Sequence, residues 1–416
     1  MIQYIQRDVA VIGAGAAGLF AAKETMQGGF STIVIDREKR AGGILNQCIH
    51  NGFGLHCFKK ELTGPEFAAE AEQLAKDANA EFRFATTVRE IVRNDDGTFN
   101  LELLSRKEGV TILTVKAVIM AVGCRERSRG NLAIPGRRPA GVWTAGTAQK
   151  LLNVEGVLPG KSAVIVGSGD IGLIMARRMS WCGIKVQAVI EILPRPSGLI
   201  RNIAQCLEDF GIPLLLSHQV VNIHGTEHVS GLDAAPLVDG KADMSQLRHF
   251  DCDTILFSVG LVPANELILP LGVELDPATG GAKVDSNGET NVPGIYVAGN
   301  ALHVHDLVDF VAEEAAETGR AVVRKLAGNA PVPEFAATVK NNLRYVSPLK
   351  FAAGEKIHFR FRPTITCEKA ILRAYDANGN ELKRWTRMFV CPAEMIQLEM
   401  DIVPGDITFD LEEVTK

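Results

Sequence analysis

Six glycines carry the clearest chemical signal in this sequence. Gly13, Gly15 and Gly18 have the spacing GxGxxG, and Gly167, Gly169 and Gly172 repeat it 154 positions later. In such a cluster the first glycine permits a tight turn and the second lets a pyrophosphate approach the backbone. The third lets a helix pack closely on a strand. Ala16 and Ala17 in the first cluster, and Asp170 and Ile171 in the second, open the helix whose free N–H groups and positive dipole end suit phosphate. An acid follows each cluster. Asp36, with Arg37 beside it, stands where a carboxylate accepts hydrogen bonds from both adenosine-ribose hydroxyls. Glu191 is its counterpart, one position later than the repeat predicts. A carboxylate there repels a 2′-phosphate, which favours NADH over NADPH, although Arg195 four residues on softens the preference.

The surrounding pattern supplies the elements these residues need. Residues 9–36 read as an apolar strand, the glycine turn, a helix from Ala16 towards Gln27, and a second strand over 32–35. Residues 163–191 repeat the plan, with Leu173 and Ala176 matching Leu19 and Ala22 at the same offset. Two such units imply two nucleotides, and the economical pair is a tightly held FAD and a diffusible nicotinamide.

Composition narrows the class. The 416 residues suffice for two or three domains, and 46% hydrophobic with 22% charged side chains excludes disorder. Net charge is −5, so no basic footprint points to nucleic acid. No apolar run approaches the roughly 20 residues of a membrane span. The chain starts straight into a strand, leaving no room for a leader, so a cytoplasmic enzyme is expected. The eight cysteines include no CxxC and no zinc spacing, and reduced thiols are expected.

Further segments resemble the flavoprotein superfamily of glutathione and thioredoxin reductases, the FAD/NAD(P)-dependent pyridine nucleotide-disulfide oxidoreductases. Residues 116–123, ending Ala121-Val122-Gly123, resemble the strand and glycine that close the first FAD portion. Residues 253–260, ending on Gly260 and followed by Pro263 and Asn265, resemble the matching end of the NAD domain. Residues 290–300 resemble the second FAD motif, whose last residue bonds the ribityl chain; after Gly299 that residue is Asn300 here, where the family usually has Asp. The resemblance also implies that the Val88 backbone meets adenine. A helical pattern from about Asp306 to Leu326 would aim its N-terminus near Asn300, where positive dipole favours reduced flavin. Gly123-Cys124-Arg125-Glu126-Arg127 and the 141–149 segment look more like FAD/NAD subunits of opine oxidase, sarcosine oxidase and cyanide synthase. The 303–306 run and the tail resemble a bacterial branch found with glycerol-3-phosphate-dehydrogenase-like flavoproteins.

The subclass turns on a missing feature. Disulfide reductases of the superfamily carry a dithiol beside the flavin, but neither Gly42-Gly43-Ile44-Leu45-Asn46-Gln47-Cys48 nor 144–147 provides one. Cys48 and Cys57, nine apart, are a different and unsupported pair. Arg40-Ala41-Gly42-Gly43, following Asp36, either lets the backbone approach the FAD pyrophosphate, the favoured reading, or forms a surface turn. Asn46, Gln47, His50 and Asn51 form either a flavin-facing stretch or an ordinary polar loop, and Arg125 and Arg127 reach a phosphate, a partner or solvent. His303-Val304-His305-Asp306 reads as a polar lining or a helix cap, with Asp306 as N-cap or first-turn acid before Leu307 and Phe310, and no metal is expected. No catalytic side chain is singled out.

The expected fold is α/β, with two Rossmann-like dinucleotide-binding domains of three-layer ββα type and a small C-terminal β domain. FAD sequence at both ends makes the nicotinamide domain an insertion: 1–125 and 276–330 for FAD, 140–275 for NAD(P), and 335–416 for the β domain. Within the first FAD portion, 81–93 and 98–104 alternate like strands around an Asn94-Asp95-Asp96-Gly97 turn. In the tail, 340–387 carry 11 basic and 4 acidic side chains and 388–416 carry 1 and 7. Either hairpin faces neutralise one another or a partner subunit docks there. The leading expectation is an FAD-dependent oxidoreductase moving a hydride between NAD(H) and FAD, with a protein or small-molecule electron acceptor or donor. The alternatives are an electron-transfer subunit of a heteromeric amine, opine or glycerol-3-phosphate dehydrogenase, and a non-catalytic cofactor-holding scaffold. An oligomer is expected.

Overall fold

The computed structural model describes residues 2–354, 356–401 and 404–414. The chain forms two compact units, Met1–Cys124 with Pro263–Lys416, and Arg125–Val262.

The first unit is built on a five-stranded parallel sheet in the order Ile295–Val297, Ala117–Met120, Val9–Ile12, Thr32–Ile35, Glu81–Arg83. The central strands are apolar at nearly every position because both faces are covered. Val9, Val11, Val34 and Ile119 face a helical layer that includes Ala16–Gln27 and Val308–Leu326. Ala10, Ile12, Ile33 and Ile35 face the other way, onto Phe99, Leu101 and Leu103. Those last residues belong to a four-stranded sheet of Gln3–Gln6, Gly109–Val115, Phe99–Ser105 and Thr86–Arg93. Three layers result, in agreement with the sequence pattern. Residues 81–93, whose alternation suggested one strand, are two strands in two different sheets, because Ala85 adopts φ +51° and turns the chain between layers.

The second unit repeats the plan. Its sheet runs Val142–Thr144, Thr254–Phe257, Ser162–Val166, Lys185–Ile190, Leu214–Leu215, all parallel. The helix Asp170–Trp181 packs on one face and the antiparallel pair His218–His224 and Gly231–Val238 on the other. Residues after Val262 pack with the first unit, where Ile268 and Val273 join its core.

The tail is a β-sandwich within the first unit. A five-stranded sheet, with Phe335–Asn341, Ile407–Glu413 and Cys367–Tyr375 at its centre, faces the strands Leu343–Ser347, Lys356–Pro363 and Ile396–Asp401. Phe351, Phe359, Phe361 and Phe409 fill the space between them. Asp376-Ala377-Asn378-Gly379-Asn380 makes the expected hairpin turn. Basic and acidic halves pair across strands, as in Arg373 with Glu412 and Lys356 with Glu399. Residues 355, 402–403 and 415–416 of the expected β domain lie outside the described residues.

Candidate cofactor sites

The first glycine turn divides its labour as the spacing requires. Gly13 has φ +106°, and a Cβ there would sit 2.4 Å from the Ala121 carbonyl oxygen. A Cβ at Gly18 would lie 1.8 Å from the Gly13 carbonyl oxygen, so only glycine lets the helix come this close. Gly15 is different. Nothing lies within 4 Å of the Cβ it lacks, and no side chain caps the helix that starts at Ala16. Uncapped N–H groups facing open space fit a pyrophosphate.

The other candidates gather around this turn. Gly42 donates its N–H to the Ala14 carbonyl at 2.8 Å, and a Cβ at Gly43 would lie 3.4 Å from Gly15 Cα. Asp36 Oδ2 accepts from the Ala14 amide at 2.7 Å and Oδ1 from Glu38 at 2.8 Å, which leaves lone pairs for hydroxyl donors. Arg37 is exposed at the rim. Gly299 has φ +67°, and a Cβ there would lie 2.9 Å from the Ala17 methyl. Gly123, φ +70°, accepts from the Ala264 amide at 3.1 Å. Val88 lies in the second layer, 7% exposed, with its side chain in the core.

Asn300 faces Cys124, its Nδ2 3.9 Å from Sγ, and its Oδ1 accepts from the His305 amide at 3.0 Å. The helix beyond begins at Val308 with no side-chain cap. Asp306 therefore does not cap it. Its carboxylate instead takes Arg362 Nη1 at 2.8 Å and the Met395 amide at 2.5 Å, both from the β-sandwich. The first-turn acid is Asp309, which accepts from the Gly54, His56 and Cys57 amides at 2.9–3.0 Å and so fixes the loop after the 46–51 stretch.

The 303–306 run meets a partner that local sequence did not indicate. Glu314, on one side of the long helix, accepts from the Gly299 amide at 2.8 Å and lies 2.7 Å from His303 Nε2. His305 Nε2 is 3.2 Å from the same carboxylate. All three side chains are buried. Burial alone would raise the Glu314 carboxyl, but the imidazoles outweigh it and hold it well below the usual range. Burial pushes His303 down, outweighing the pull of Glu314.

Burial also pushes the Cys48 and Cys57 thiols up to about 12. A nucleophilic dithiol needs the opposite shift. None of the eight cysteines is joined in a disulfide.

The second unit carries the matching turn. Gly167 has φ +94°, with its would-be Cβ 2.1 Å from the Ser258 carbonyl oxygen, and a Cβ at Gly172 would lie 2.8 Å from Ser258 Cβ. At Gly169 the nearest atom to a Cβ would be at ordinary contact distance, 3.5 Å. Glu191 Oε2 accepts from the Ser168 amide at 2.9 Å, the place Asp36 takes in the first unit. Ser197 Oγ also donates to it at 2.9 Å, and Glu191 Oε1 takes the Leu193 amide at 3.0 Å. The Asp170 side chain is engaged elsewhere, accepting from the Leu199 amide and Asn202 Nδ2. Ile171 is half-buried against the unit's core, and Gly260 has φ +104°. Sequence reasoning missed Ser168, Ser197 and Ser258; the first lay within the glycine cluster and was readable as a polar turn residue.

Comparison with known proteins agrees with this architecture. A family model described as pyridine nucleotide-disulphide oxidoreductase matches residues 7–319. The chain is 25% identical over 310 residues to the hydrogen cyanide synthase subunit HcnB of Pseudomonas protegens, covering 70% of this chain and 65% of that one. It is 25% identical over 324 residues to an opine oxidase subunit of Agrobacterium tumefaciens, covering 71% and 61%. It thus spans a little under two thirds of either relative. Among solved structures, thioredoxin reductase of T. acidophilum superposes with a TM-score of 0.63 at 25% identity, covering 77% of this chain and 99% of that one.

Proposed function

The chain belongs to the pyridine nucleotide-disulphide oxidoreductase family, and on that premise we propose that it passes a hydride between NADH and FAD and exchanges the electron pair with a partner subunit or small acceptor. Bound FAD supplies the two-electron chemistry. The chain's own residues bind and orient. The observation that carries the reading is the doubled device of an open glycine turn whose neighbouring amide is held by the following acid, Asp36 at Ala14 and Glu191 at Ser168.

In this reading FAD takes residues 1–125 and 276–330, and NAD(P) takes 140–275. Gly13, Gly15, Ala16, Ala17, Gly18, Gly42 and Gly43 hold the FAD pyrophosphate, and Asp36 the ribose. Asn300 holds the ribityl chain with a neutral amide. Gly167, Gly169 and Gly172 cradle the nicotinamide coenzyme, and Glu191 gives the preference for NADH. High thiol pKa values at Cys48 and Cys57 favour electrons leaving by another route than a disulfide. Eight unbridged thiols suit the reducing cytoplasm, and no described helix is long and apolar enough to cross a membrane.

The test is an anaerobic titration of the yellow protein with NADH. Loss of the flavin absorbance near one equivalent supports the reading, and an unchanged spectrum rejects it.

A second reading, that this is the electron-transfer subunit of a heteromeric amine, opine or glycerol-3-phosphate dehydrogenase, is favoured by the similarity to subunits of hydrogen cyanide synthase and opine oxidase. The β-sandwich grips the loop that bears Asn300, through Arg362 to Asp306 and to the Val304 carbonyl at 2.9 Å. Co-purification of a stoichiometric dehydrogenase subunit distinguishes it from a stand-alone NADH oxidoreductase.

A further inference from the structure

The loop 299–305 is held from below by a buried cluster of charges that reaches into the C-terminal domain. Glu314 carries the Gly299 amide on one oxygen and His303 on the other. Arg360, from the sandwich strand Lys356–Pro363, brings its Nε to 3.6 Å from Glu314 Oε2 and donates from Nη2 to Glu317 at 2.9 Å. The Glu314 and Arg360 side chains are each 5% exposed. Two imidazoles and a carboxylate, with donor atoms within 4.8 Å of one another, have the composition of a divalent-metal site. The contacts argue against one. Both Glu314 oxygens already have N–H partners, and a guanidinium occupies the neighbouring space where a cation would be repelled.

Two features make the cluster more than packing. The buried negative charge sits one hydrogen bond from Gly299, the residue before Asn300, on the loop that meets the flavin in the proposed function. The compensating positive charge comes from the β-sandwich, 46 residues further along the chain in the same compact unit. In a low-dielectric interior such charges act over several ångströms with little screening.

We propose that Glu314 and Arg360 are positioning residues that set the reduction potential of the bound flavin, with the C-terminal domain supplying the neutralising charge. Glu314 fixes the Gly299 amide and the Asn300 loop. Arg360 cancels the carboxylate charge, which would otherwise disfavour the anionic reduced flavin. This rests on the FAD reading of the first unit.

The test measures bound FAD first and then the midpoint potential of the full-length protein by anaerobic dye-linked titration. A wild-type protein without stoichiometric FAD would refute the functional reading itself. With FAD bound, R360Q is expected to lower the reduced-to-oxidised ratio about tenfold at a fixed poise, about 30 mV for a two-electron couple. R360K, which keeps the charge, should restore most of it. E317Q, on the half-buried rim, removes a negative charge without opening the cluster and should move the potential upwards, so it decides the matter if R360Q does not fold. Wild-type potentials in flavin-loaded R360Q and E317Q, or stoichiometric transition metal lost on H303A substitution, would overturn the proposal.

Discussion

Asp36 Oδ2 accepts the Ala14 amide at 2.7 Å, so the acid that ends the second strand also locks the glycine turn that ends the first. One carboxylate thereby shapes the turn and keeps lone pairs for a ribose. A charged hydrogen bond of this kind contributes about 1.5–3 kcal/mol. Asp36→Ala is therefore expected to weaken FAD binding about ten- to a hundredfold, read as the ratio of flavin to protein absorbance after dialysis. Full retention of FAD would remove Asp36 from the site.

Gly15 and Gly18 separate folding from binding. A methyl at Gly15 meets nothing within 4 Å, and its φ of −77° suits any residue. Gly15→Ala should cost at most about 1 kcal/mol of stability yet exclude the pyrophosphate and leave the protein colourless. Gly18→Ala forces a methyl to 1.8 Å from the Gly13 carbonyl oxygen and should cost about 1–3 kcal/mol or more. Thermal unfolding of the two FAD-free variants checks the contrast; equal melting temperatures would contradict it.

In the proposed function, coenzyme choice rests on Glu191. The wild-type protein is expected to have a higher kcat/KM with NADH than with NADPH, and Glu191→Gln should narrow the ratio by removing the charge that repels a 2′-phosphate. Steady-state kinetics with both coenzymes measure this, and a wild-type preference for NADPH would reverse the assignment.

Electron exit should not involve the thiols. With Cys48 and Cys57 pushed up to about 12, the double variant Cys48→Ala, Cys57→Ala is expected to oxidise NADH with an artificial acceptor at the wild-type rate. A loss of turnover with flavin still bound would point to a working dithiol.

His358 ties the sandwich to the long helix by bridging Glu317 and Glu399, with Lys356 and Arg360 also nearby. The hydrogen bond to Glu317 leads the causes that raise its imidazole above the usual value. The raised folded pKa means this stabilisation is complete below the unfolded value of about 6.5 and is lost as pH rises through the folded one. The melting temperature should therefore fall as pH rises above about 6.5, and His358→Gln should flatten that part of the profile. An identical profile in the variant would show that the bridge contributes nothing.

The glycine turns, the strands that precede them and the acids that follow were legible in the sequence because each depends on neighbours in the chain. A 3.6- or 2-residue period, a positive φ and a helix start are local facts. The same holds for the hairpin at 376–380 and the alternating strands of the tail. The break at Ala85 was not legible, since nothing in the 81–93 alternation marks the residue at which a strand changes sheets.

Tertiary structure decided what the polar residues are for. Asp306 looked like a helix cap and became the anchor of Arg362, 56 residues away. Glu314 lay unremarked on a helix face until the fold set it under Gly299 and beside His303, with Arg360 arriving from a strand of the C-terminal β-sandwich. A side chain that pairs locally leaves a spacing that can be read. A buried charge is satisfied by whatever the packing of layers brings to it, and the position of that partner along the chain is arbitrary.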